Sequence, residues 1–485
     1  MPRPTPAPPP RTPHTNPHPH PNPANTSPRS GLHTPRAPRT PHRPAATLAV
    51  TSSATAVALM TYTAPAVILP DTAASLGTSL TAQAWLLNGT PLGLAAFLLV
   101  AGSLADDHGR RRVFLAGTIG LGLTTALGAL ATSTWLFTLA RVAQGAASAA
   151  ILATSLGLLV QAFPAGPGRV RATGIWGACV SAGIAVGPLV AGGLAQADWR
   201  LAYAVMGLAS LVVAAFVPRT LTESRAPRGG RPDLAGALTL GLALIALVAA
   251  LTLGRDGWLR TPVGALLVAA AVLTAAFVLV ERRAAAPLLD LGLLRRPPFL
   301  AATAGALFTG FSVIALLSYL PTLLQHTLGL SAMNAAWLIF LWSGVSFAVA
   351  LQARRLVGRV SARHQLVVGF ALHAVAVLTM LGAASAGSWP RLLPGLVVSG
   401  VGSGLLNAAL PLLAVESVPP ERAAMGSGAN NTARYIGSAA GVALMIAVST
   451  SSGDLGRGTD VAVIVSAGLA VLAAVSVLFL KERRS

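Results

Sequence analysis

The chain reads GSLADDHGRRR at residues 102–112, where the apolar segment 82–105 ends and shortly before the apolar segment 113–132 begins. Each segment is about 20 residues long or longer, the length of helix that crosses the hydrocarbon core of a bilayer. Outward from this loop, apolar runs alternate with short charged or Pro/Gly-containing loops along most of the chain. The stretch therefore predicts an integral membrane protein.

The composition supports the same class of protein. Only 10% of the 485 residues are charged, against about 25% in a soluble domain, and 54% are hydrophobic. This composition argues against a soluble enzyme, because a water-soluble core of this length cannot bury so much apolar material. The net charge of +20 comes from basic residues spread between apolar runs, so we expect no nucleic-acid partner. The single cysteine, Cys179, excludes an intramolecular disulfide, and we predict no metal site.

Apolar runs of spanning length occur fourteen times, and they predict an all-α membrane protein with 14 transmembrane helices. Their continuous Ala, Leu, Val and Gly stretches differ from the short alternating strands of a membrane barrel. The predicted spans are 46–69, 82–105, 113–132, 135–162, 171–196, 200–217, 233–253, 262–280, 299–322, 332–352, 365–386, 391–416, 426–449 and 459–480.

The basic residues predict how the chain is oriented, because cytoplasmic loops collect Lys and Arg. With the N-terminus inside, 27 basic residues lie on the cytoplasmic side and five lie outside, and Arg141 and Arg434 fall within spans. We therefore expect a multi-pass plasma-membrane protein with both termini in the cytoplasm.

The two ends of the chain are polar. Residues 1–45 are rich in Pro, His and Arg and have no apolar stretch that would form a signal peptide, so we expect a disordered cytoplasmic tail. Its scattered histidines define no fixed metal geometry. Residues 481–485 form a second short cytoplasmic tail.

A glycine pattern recurs in two distant spans. The spacing between the first glycine and the next two is 9 and 13 residues in both, at Gly174, Gly183 and Gly187 in span 5 and at Gly428, Gly437 and Gly441 in span 13. The repeat indicates two related helical bundles, an arrangement that in many transporters places the substrate site between the halves. Glycine is also common in membrane helices for packing alone.

Three motifs carry a family resemblance. The loop with Gly102, Asp106, Gly109, Arg110 and Arg111 resembles the cytoplasmic loop signature of the major facilitator superfamily, where it helps to lock and release the cytoplasmic gate. Span 4 resembles the second motif of the family, and span 5 resembles its antiporter motif. The matching residues are Arg141, Gln144 and Gly145 in span 4 and Gly183, Gly187 and Pro188 in span 5.

Further matches point to the fourteen-span drug:proton antiporters of that superfamily. They are Trp199-Arg200, residues 233–236, 281–283, 287–290 and 419–422, and the span 13 residues Gly426, Ser427, Gly428, Asn431, Arg434 and Gly437. The resemblance covers residues 46–480. It implies an N-terminal six-helix bundle at 46–217, a linker with two extra transmembrane helices at 218–298, and a C-terminal six-helix bundle at 299–480.

One position departs from the family pattern. The family usually has an Asp in span 1 nine residues before a Pro, and counting back from Pro70 gives Thr61. All fourteen acids lie in loops, tails or at the edges of spans, so Asp71, Asp106 and Glu416 are the acids at which we would look for the proton site. The span 1 carboxylate that the family pattern predicts is therefore missing from this chain, which has Thr61 at that position.

Two arginines are the charges within the spans, where ionisable groups are costly and usually functional. By resemblance we expect Arg141 to belong to the coupling or substrate machinery, although it could instead pack against carbonyls of a neighbouring helix. Arg434 could act in substrate binding or extend toward the cytoplasmic interface. Because no acid is available as a counter-charge, we expect neutral, zwitterionic or anionic substrates more than dications.

The resemblance implies export of lipophilic small molecules, such as drugs or antibiotics, driven by proton influx through alternating access. The expected partners are the bilayer, the substrate and protons; we predict no cofactor beyond the proton gradient and no obligate protein partner. No Walker-type phosphate loop occurs. An uncoupled or differently coupled metabolite exporter is the alternative. A membrane enzyme or a non-transporting sensor is a remote one, because no cluster of catalytic side chains and no output domain is present.

Overall fold

The computed structural model describes residues 44–79, 82–164, 167–224, 233–254, 260–284, 291–353, 359–418, 423–451 and 453–480. All regular secondary structure in these ranges is helical, as predicted. The tail predicted at 1–45 lies outside the described residues up to residue 43, and the first helix begins at Pro44, slightly earlier than expected. The tail at 481–485 and the motif residues 287–290 and 419–422 also lie outside them.

The first seven helices, which we call the N-terminal half, follow the first six predicted spans. They are α1 (Pro44–Thr63), α2 (Pro65–Ser75), α3 (Gln83–His108), α4 (Arg110–Ala129), α5 (Thr134–Ala162), α6 (Pro167–Leu194) and α7 (Trp199–Thr220).

Two helices, α8 (Leu234–Gly254) and α9 (Thr261–Arg283), separate this half from the rest. Within the described residues, the C-terminal half comprises seven α-helices, a π-helical segment at Thr309–Ile314 and a short 3₁₀ helix at Trp389–Arg391. The α-helices are α10 (Pro297–Phe308), α11 (Ala315–Leu328), α12 (Ala332–Ala353), α13 (Ala362–Leu378), α14 (Leu392–Glu416), α15 (Ala423–Thr450) and α16 (Leu455–Phe479).

Within the described residues, twelve helical segments are long and apolar enough to cross a membrane, with α10 to α11 counted as one. Helix α8 is also apolar and is 21 residues long, whereas the apolar helix α13 is shorter, at Ala362–Leu378. At 1.5 Å per residue, the 17 residues of α13 fall a few ångströms short of a hydrocarbon core about 30 Å thick. The protein is thus an all-helical, multi-pass membrane protein, and the count of fourteen spans stays a prediction.

Two spans that we expected to be continuous are interrupted. Span 1 breaks at Ala64, between α1 and α2, because Pro65 has no N–H with which to continue the helical hydrogen bonds. Span 9 contains the π-helical segment between α10 and α11, a feature that is often found at functional sites.

The buried apolar core joins the two halves of the protein at more than one depth. The largest cluster of buried side chains draws on both halves and includes Ile68 and Leu69 with Leu320 and Leu324. A second cluster groups Leu98 and Ala101 of α3 with Tyr435 of α15. Two other clusters lie within one half each, around Phe114, Leu158 and Val217 and around Leu293, Phe299 and Val418.

The repeated glycines make equivalent helix contacts. A Cβ added to Gly183 of α6 would lie 2.5 Å from the carbonyl oxygen of Ala56, and one added to Gly187 would lie 2.8 Å from Cα of Met60, both in α1. In the C-terminal half, Gly441 of α15 lies as close to Phe311 of the π-helical segment, and Gly437 touches the Leu307 carbonyl. Glycine thus lets span 5 approach span 1 and span 13 approach span 9. The first glycines of the two sets, Gly174 and Gly428, make no matching contact.

Candidate functional site

Arg141 lies on α5 and is completely buried. Its Nη1 donates hydrogen bonds to the Thr61 carbonyl oxygen at 2.7 Å and to Oε1 of Gln144 at 2.6 Å, and its Nη2 donates to the Tyr62 carbonyl oxygen at 3.4 Å. The guanidinium carbon lies 5.9 Å from the centre of the Tyr203 ring. Arg141 and Gln144, which the sequence analysis paired by motif, therefore contact each other and also the end of α1.

The proline after α1 explains why the Thr61 carbonyl can accept this bond. In an α-helix that oxygen would accept the N–H of residue 65, but residue 65 is proline and has none. Arg141 supplies the missing donor. At the position where the family usually has an Asp, this chain therefore offers a backbone oxygen to the arginine in place of a carboxylate. The hydroxyl of Thr61 donates to the Ala58 carbonyl at 2.8 Å and takes no part.

Gly145 brings α5 against α3 beside this cluster. A Cβ on Gly145 would lie 2.7 Å from Cα of Gly93 and would collide with the Thr90 carbonyl, so only glycine permits the contact. The Thr90 hydroxyl donates to the Arg141 carbonyl oxygen at 3.2 Å. Two buried groups of the cluster, Nε of Arg141 and Nε2 of Gln144, have no hydrogen-bond partner.

Tyr62 connects the arginine cluster to the other half. Its hydroxyl lies 3.3 Å from Oγ of Ser438 on α15, and its ring lies edge-on to that of Tyr435, with centroids 5.8 Å apart. The sequence analysis assigns no role to either tyrosine. No local signal pairs two tyrosines that are separated by hundreds of residues.

Arg434 lies on α15 next to this aromatic pair. Its guanidinium carbon is 5.5 Å from the centre of the Tyr435 ring, and the residue is partly buried. Its Nε is buried without a hydrogen-bond partner. Within the described part of the chain, the Arg434 side chain makes neither a hydrogen bond nor an ion pair.

The loop motif is held at the start of α4 by a residue that the sequence analysis missed. Gly109 adopts a φ of 107°, which only glycine takes readily, and the next two amides bond to the segment after α7. The amide of Arg111 donates to Oε1 of Glu223 at 3.0 Å, and that of Arg110 to the Ser224 carbonyl at 2.9 Å. A carboxylate here also suits the positive end of the helix dipole.

Other predicted motif residues are less tightly constrained. Gly102 has no atom within 4 Å of an added Cβ, and the side chain of Asp106 lies outside the described structure. Helix α6 continues through Pro188 without a break.

The acids of the described ranges all lie in loops or within two turns of a helix end. Asp71 is on α2, beyond the outer end of the first predicted span, and partial burial raises the pKa of its carboxyl. Glu416 is the last residue of α14 and is exposed. Among these residues no group of three or more His, Cys, Asp or Glu side chains could hold a metal ion.

His373 is buried in a hydrogen-bond chain within the C-terminal half. The Trp342 indole donates to Ser399, which lies 2.8 Å from Nδ1 of His373; Nε2 lies 3.2 Å from Ser466, whose hydroxyl donates to the Ser312 carbonyl. An indole N–H only donates and a carbonyl only accepts, so the chain has one direction when each serine donates one bond. That direction requires a neutral imidazole with its hydrogen on Nε2. We therefore interpret His373 as a structural residue.

Comparison with known proteins places this architecture in a family. The family model described as "Major Facilitator Superfamily" matches residues 51–442. "Multidrug resistance protein Stp" of Mycobacterium tuberculosis is 34% identical over 78% of this chain and 71% of its own length. The "Probable actinorhodin transporter" of Streptomyces coelicolor is also 34% identical, over 82% of this chain and 71% of its own length.

A solved structure shares the fold. The crystal structure of a bacterial homolog of the human lysosomal transporter Spinster, described as inward-facing and occupied, has a TM-score of 0.67 at 16% identity. The match covers 91% of this chain and 97% of that one. With the family model spanning most of the helical region, this chain belongs to the Major Facilitator Superfamily.

Proposed function

We propose that this protein is a secondary active exporter of lipophilic small molecules, drugs or antibiotics, in the plasma membrane. The support is family membership together with relatives named for multidrug resistance and for actinorhodin transport. We further propose fourteen spans, in which α8 and α13 complete the set, with 218–298 inserted between two six-helix bundles and both termini in the cytoplasm.

Alternating access fits the position of the contacts between the two halves. Ile68 and Leu69 of α2 pack with Leu320 and Leu324 of α11 toward the predicted outer end, and Nε2 of Gln325 donates to the Val67 carbonyl at 2.9 Å. Toward the predicted cytoplasmic end, Leu98 and Ala101 of α3 share an apolar cluster with Tyr435 of α15. In alternating access, these two sets of contacts would open in turn.

The observation that carries the coupling proposal is the bond from Arg141 to the break in span 1. Arg141 donates to two carbonyls at the end of α1 and to Gln144 on its own helix. Rotation of α1 relative to α5 would exchange these acceptors, so the position of the break and the state of Arg141 are linked. We propose that this link couples the N-terminal half to transport. Proton influx would act through Asp71, Asp106 or Glu416.

The proposal is tested by measuring efflux from cells that express this protein. The substrates are a panel of lipophilic dyes and antibiotics, and each is measured with and without a protonophore. We expect gradient-dependent efflux by the wild type and loss of efflux in Arg141→Ala and Arg141→Lys at matched expression. Arg457→Ala is the control, since Arg457 lies at the surface and should leave efflux unchanged. Efflux at the wild-type rate by both Arg141 variants would exclude the coupling role, and no efflux by the wild type would contradict drug export.

The absence of an acid in the middle of any described span favours a second candidate function, an uncoupled metabolite exporter of the same fold. The same experiment separates the two functions. Substrate efflux that is indifferent to the protonophore, yet lost in Arg141→Ala, would select the uncoupled exporter.

A further inference from the structure

We propose that Arg434 is the anion-binding group of the substrate site, and that the preferred substrates are lipophilic aromatic acids, which bind through a carboxylate or phenolate. This inference rests on the proposed export function and specifies the substrate class. It starts from a guanidinium that lacks any acceptor among the described residues, at a depth where bare charges are costly.

The depth of Arg434 follows from its place on α15. It is eleven residues after Ala423, the start of that helix, or about 16 Å along the helix axis at 1.5 Å per residue. This is close to the middle of a hydrocarbon core about 30 Å thick. An unpaired arginine there must obtain its acceptors from water in a cavity or from a ligand.

Other arginines of the protein donate to acceptors within the described structure. Arg141 donates to three acceptors, Arg363 donates to the carbonyls of Val477 and Leu478, and Arg200 donates to the Ala131 carbonyl. The described structure gives Arg434 only the face of Tyr435, at 5.5 Å. Its fork of N–H donors matches the two oxygens of a carboxylate.

The surroundings specify the rest of the ligand. Tyr62 and Tyr435 meet edge to face beside Arg434, so aromatic surface adjoins the cation. Tyr62 belongs to the N-terminal half, whereas Arg434 and Tyr435 belong to the C-terminal half, which places the group between the halves near the midplane. No described acid lies within ion-pair distance of Arg434 to attract a cationic substrate. The chemistry favours an aromatic acid over an aromatic cation.

Binding of a matched ligand pair tests the proposal. We would measure the affinity of purified full-length protein for 2-naphthoic acid and for the uncharged 2-naphthamide at pH 7.5, where the acid is ionised. Charge-assisted hydrogen bonds predict that the wild type binds the acid about tenfold more tightly than the amide. Arg434→Gln should reduce this preference to about one, and Arg434→Lys, which keeps the charge, should retain part of it.

Two controls separate the inference from folding and from the export function. Binding of the amide should be unchanged in Arg434→Gln, which reports an intact site, and Arg457→Gln should keep the preference for the acid. Equal binding of acid and amide by the wild type, no binding of either, or an unchanged preference in Arg434→Gln would overturn the inference. If wild-type cells export the dyes in any of those cases, the export function stands and only the proposed substrate class fails. If wild-type cells do not export the dyes, the export function itself is contradicted.

Discussion

Arg141 and Arg434 are the two arginines placed within the predicted spans, and the structure gives them opposite surroundings. Arg141 is fully buried and donates to three oxygens, whereas Arg434 is partly buried and donates to none among the described residues. An arginine in an apolar helix therefore does not by itself indicate a binding site. What decides its role is whether the facing helix offers an acceptor.

The facing helices differ in how they are interrupted. Opposite Arg141, span 1 is broken by Pro65, which frees the Thr61 carbonyl. The corresponding span 9 is interrupted by the π-helical segment, where the amide of Ala315 bonds to the carbonyls of Gly310 and Ser312. A proline break releases an acceptor, whereas this π-helical segment keeps these carbonyls bonded. The proline break thus supplies an acceptor to Arg141, whereas the π-helical segment supplies none to Arg434.

The largest effect should come from replacing each arginine by methionine. Arg141→Met leaves the Thr61 and Tyr62 carbonyls and Oε1 of Gln144 without their donor, and leaving such buried groups unsatisfied lowers the free energy of unfolding by about 1–3 kcal/mol. Arg434→Met removes no hydrogen bond to a described residue, so its stability should match or exceed the wild type. Thermal unfolding of the purified proteins in one detergent measures both. Equal destabilisation by the two substitutions would contradict the contrast.

The next effect should come from restoring the missing amide. Pro65→Ala gives residue 65 an N–H that can bond to the Thr61 carbonyl, so the end of α1 competes with Arg141 for its acceptor. Loss of one such bond, worth about 0.6 kcal/mol on average in a membrane helix bundle, predicts export slower by about threefold. Pro70→Ala is the matched control, because Arg141 donates to no carbonyl freed by Pro70. If both proline variants export at the same rate, the break does not act through Arg141.

The helical fold could be predicted from the sequence because apolar runs of spanning length leave few alternatives in a bilayer. The interruptions inside spans 1 and 9 were missed for different reasons. Pro65 is a helix breaker, but it lies inside the apolar run 46–69, which we read as one continuous span. The π-helical segment Thr309–Ile314 has no simple sequence signal, and it packs closely against Gly437 and Gly441.

For each contact of the candidate site, the sequence predicted one of the two partners but not the other. The motif identified Arg141, Gln144 and Gly145, but the acceptors of Arg141 are backbone carbonyls, which every residue carries. Glu223 was missed because it meets the loop motif across 112 residues of chain, and no local pattern links them. Side-chain chemistry can be recognised in a sequence, whereas the partner that a fold supplies from a distance cannot.

A smaller effect should follow from changes at Gln144, which shares Arg141 with the α1 carbonyls. Gln144→Leu removes one acceptor at 2.6 Å but leaves the two carbonyls, so export should slow by about twofold. Gln144→Glu supplies a carboxylate that holds Arg141 more firmly, so we expect a higher unfolding temperature together with slower export. Export rate and unfolding temperature of both variants check this. A Gln144→Glu protein that is less stable than Gln144→Leu would show that Arg141 does not use this acceptor.

The smallest effect should come from the contact between the two arginine environments. Tyr62→Phe removes only the hydroxyl that lies 3.3 Å from Ser438 and keeps the ring against Tyr435, so stability and export should change by no more than about 0.5 kcal/mol, or roughly twofold. Tyr62→Ala removes the ring as well and should weaken binding of aromatic ligands more than Tyr62→Phe does. Affinity for the uncharged naphthamide separates the two substitutions, because it does not depend on the charge of Arg434. A Tyr62→Phe protein as impaired as Tyr62→Ala would mean that the bond between the halves, and not the aromatic surface, connects the two arginines.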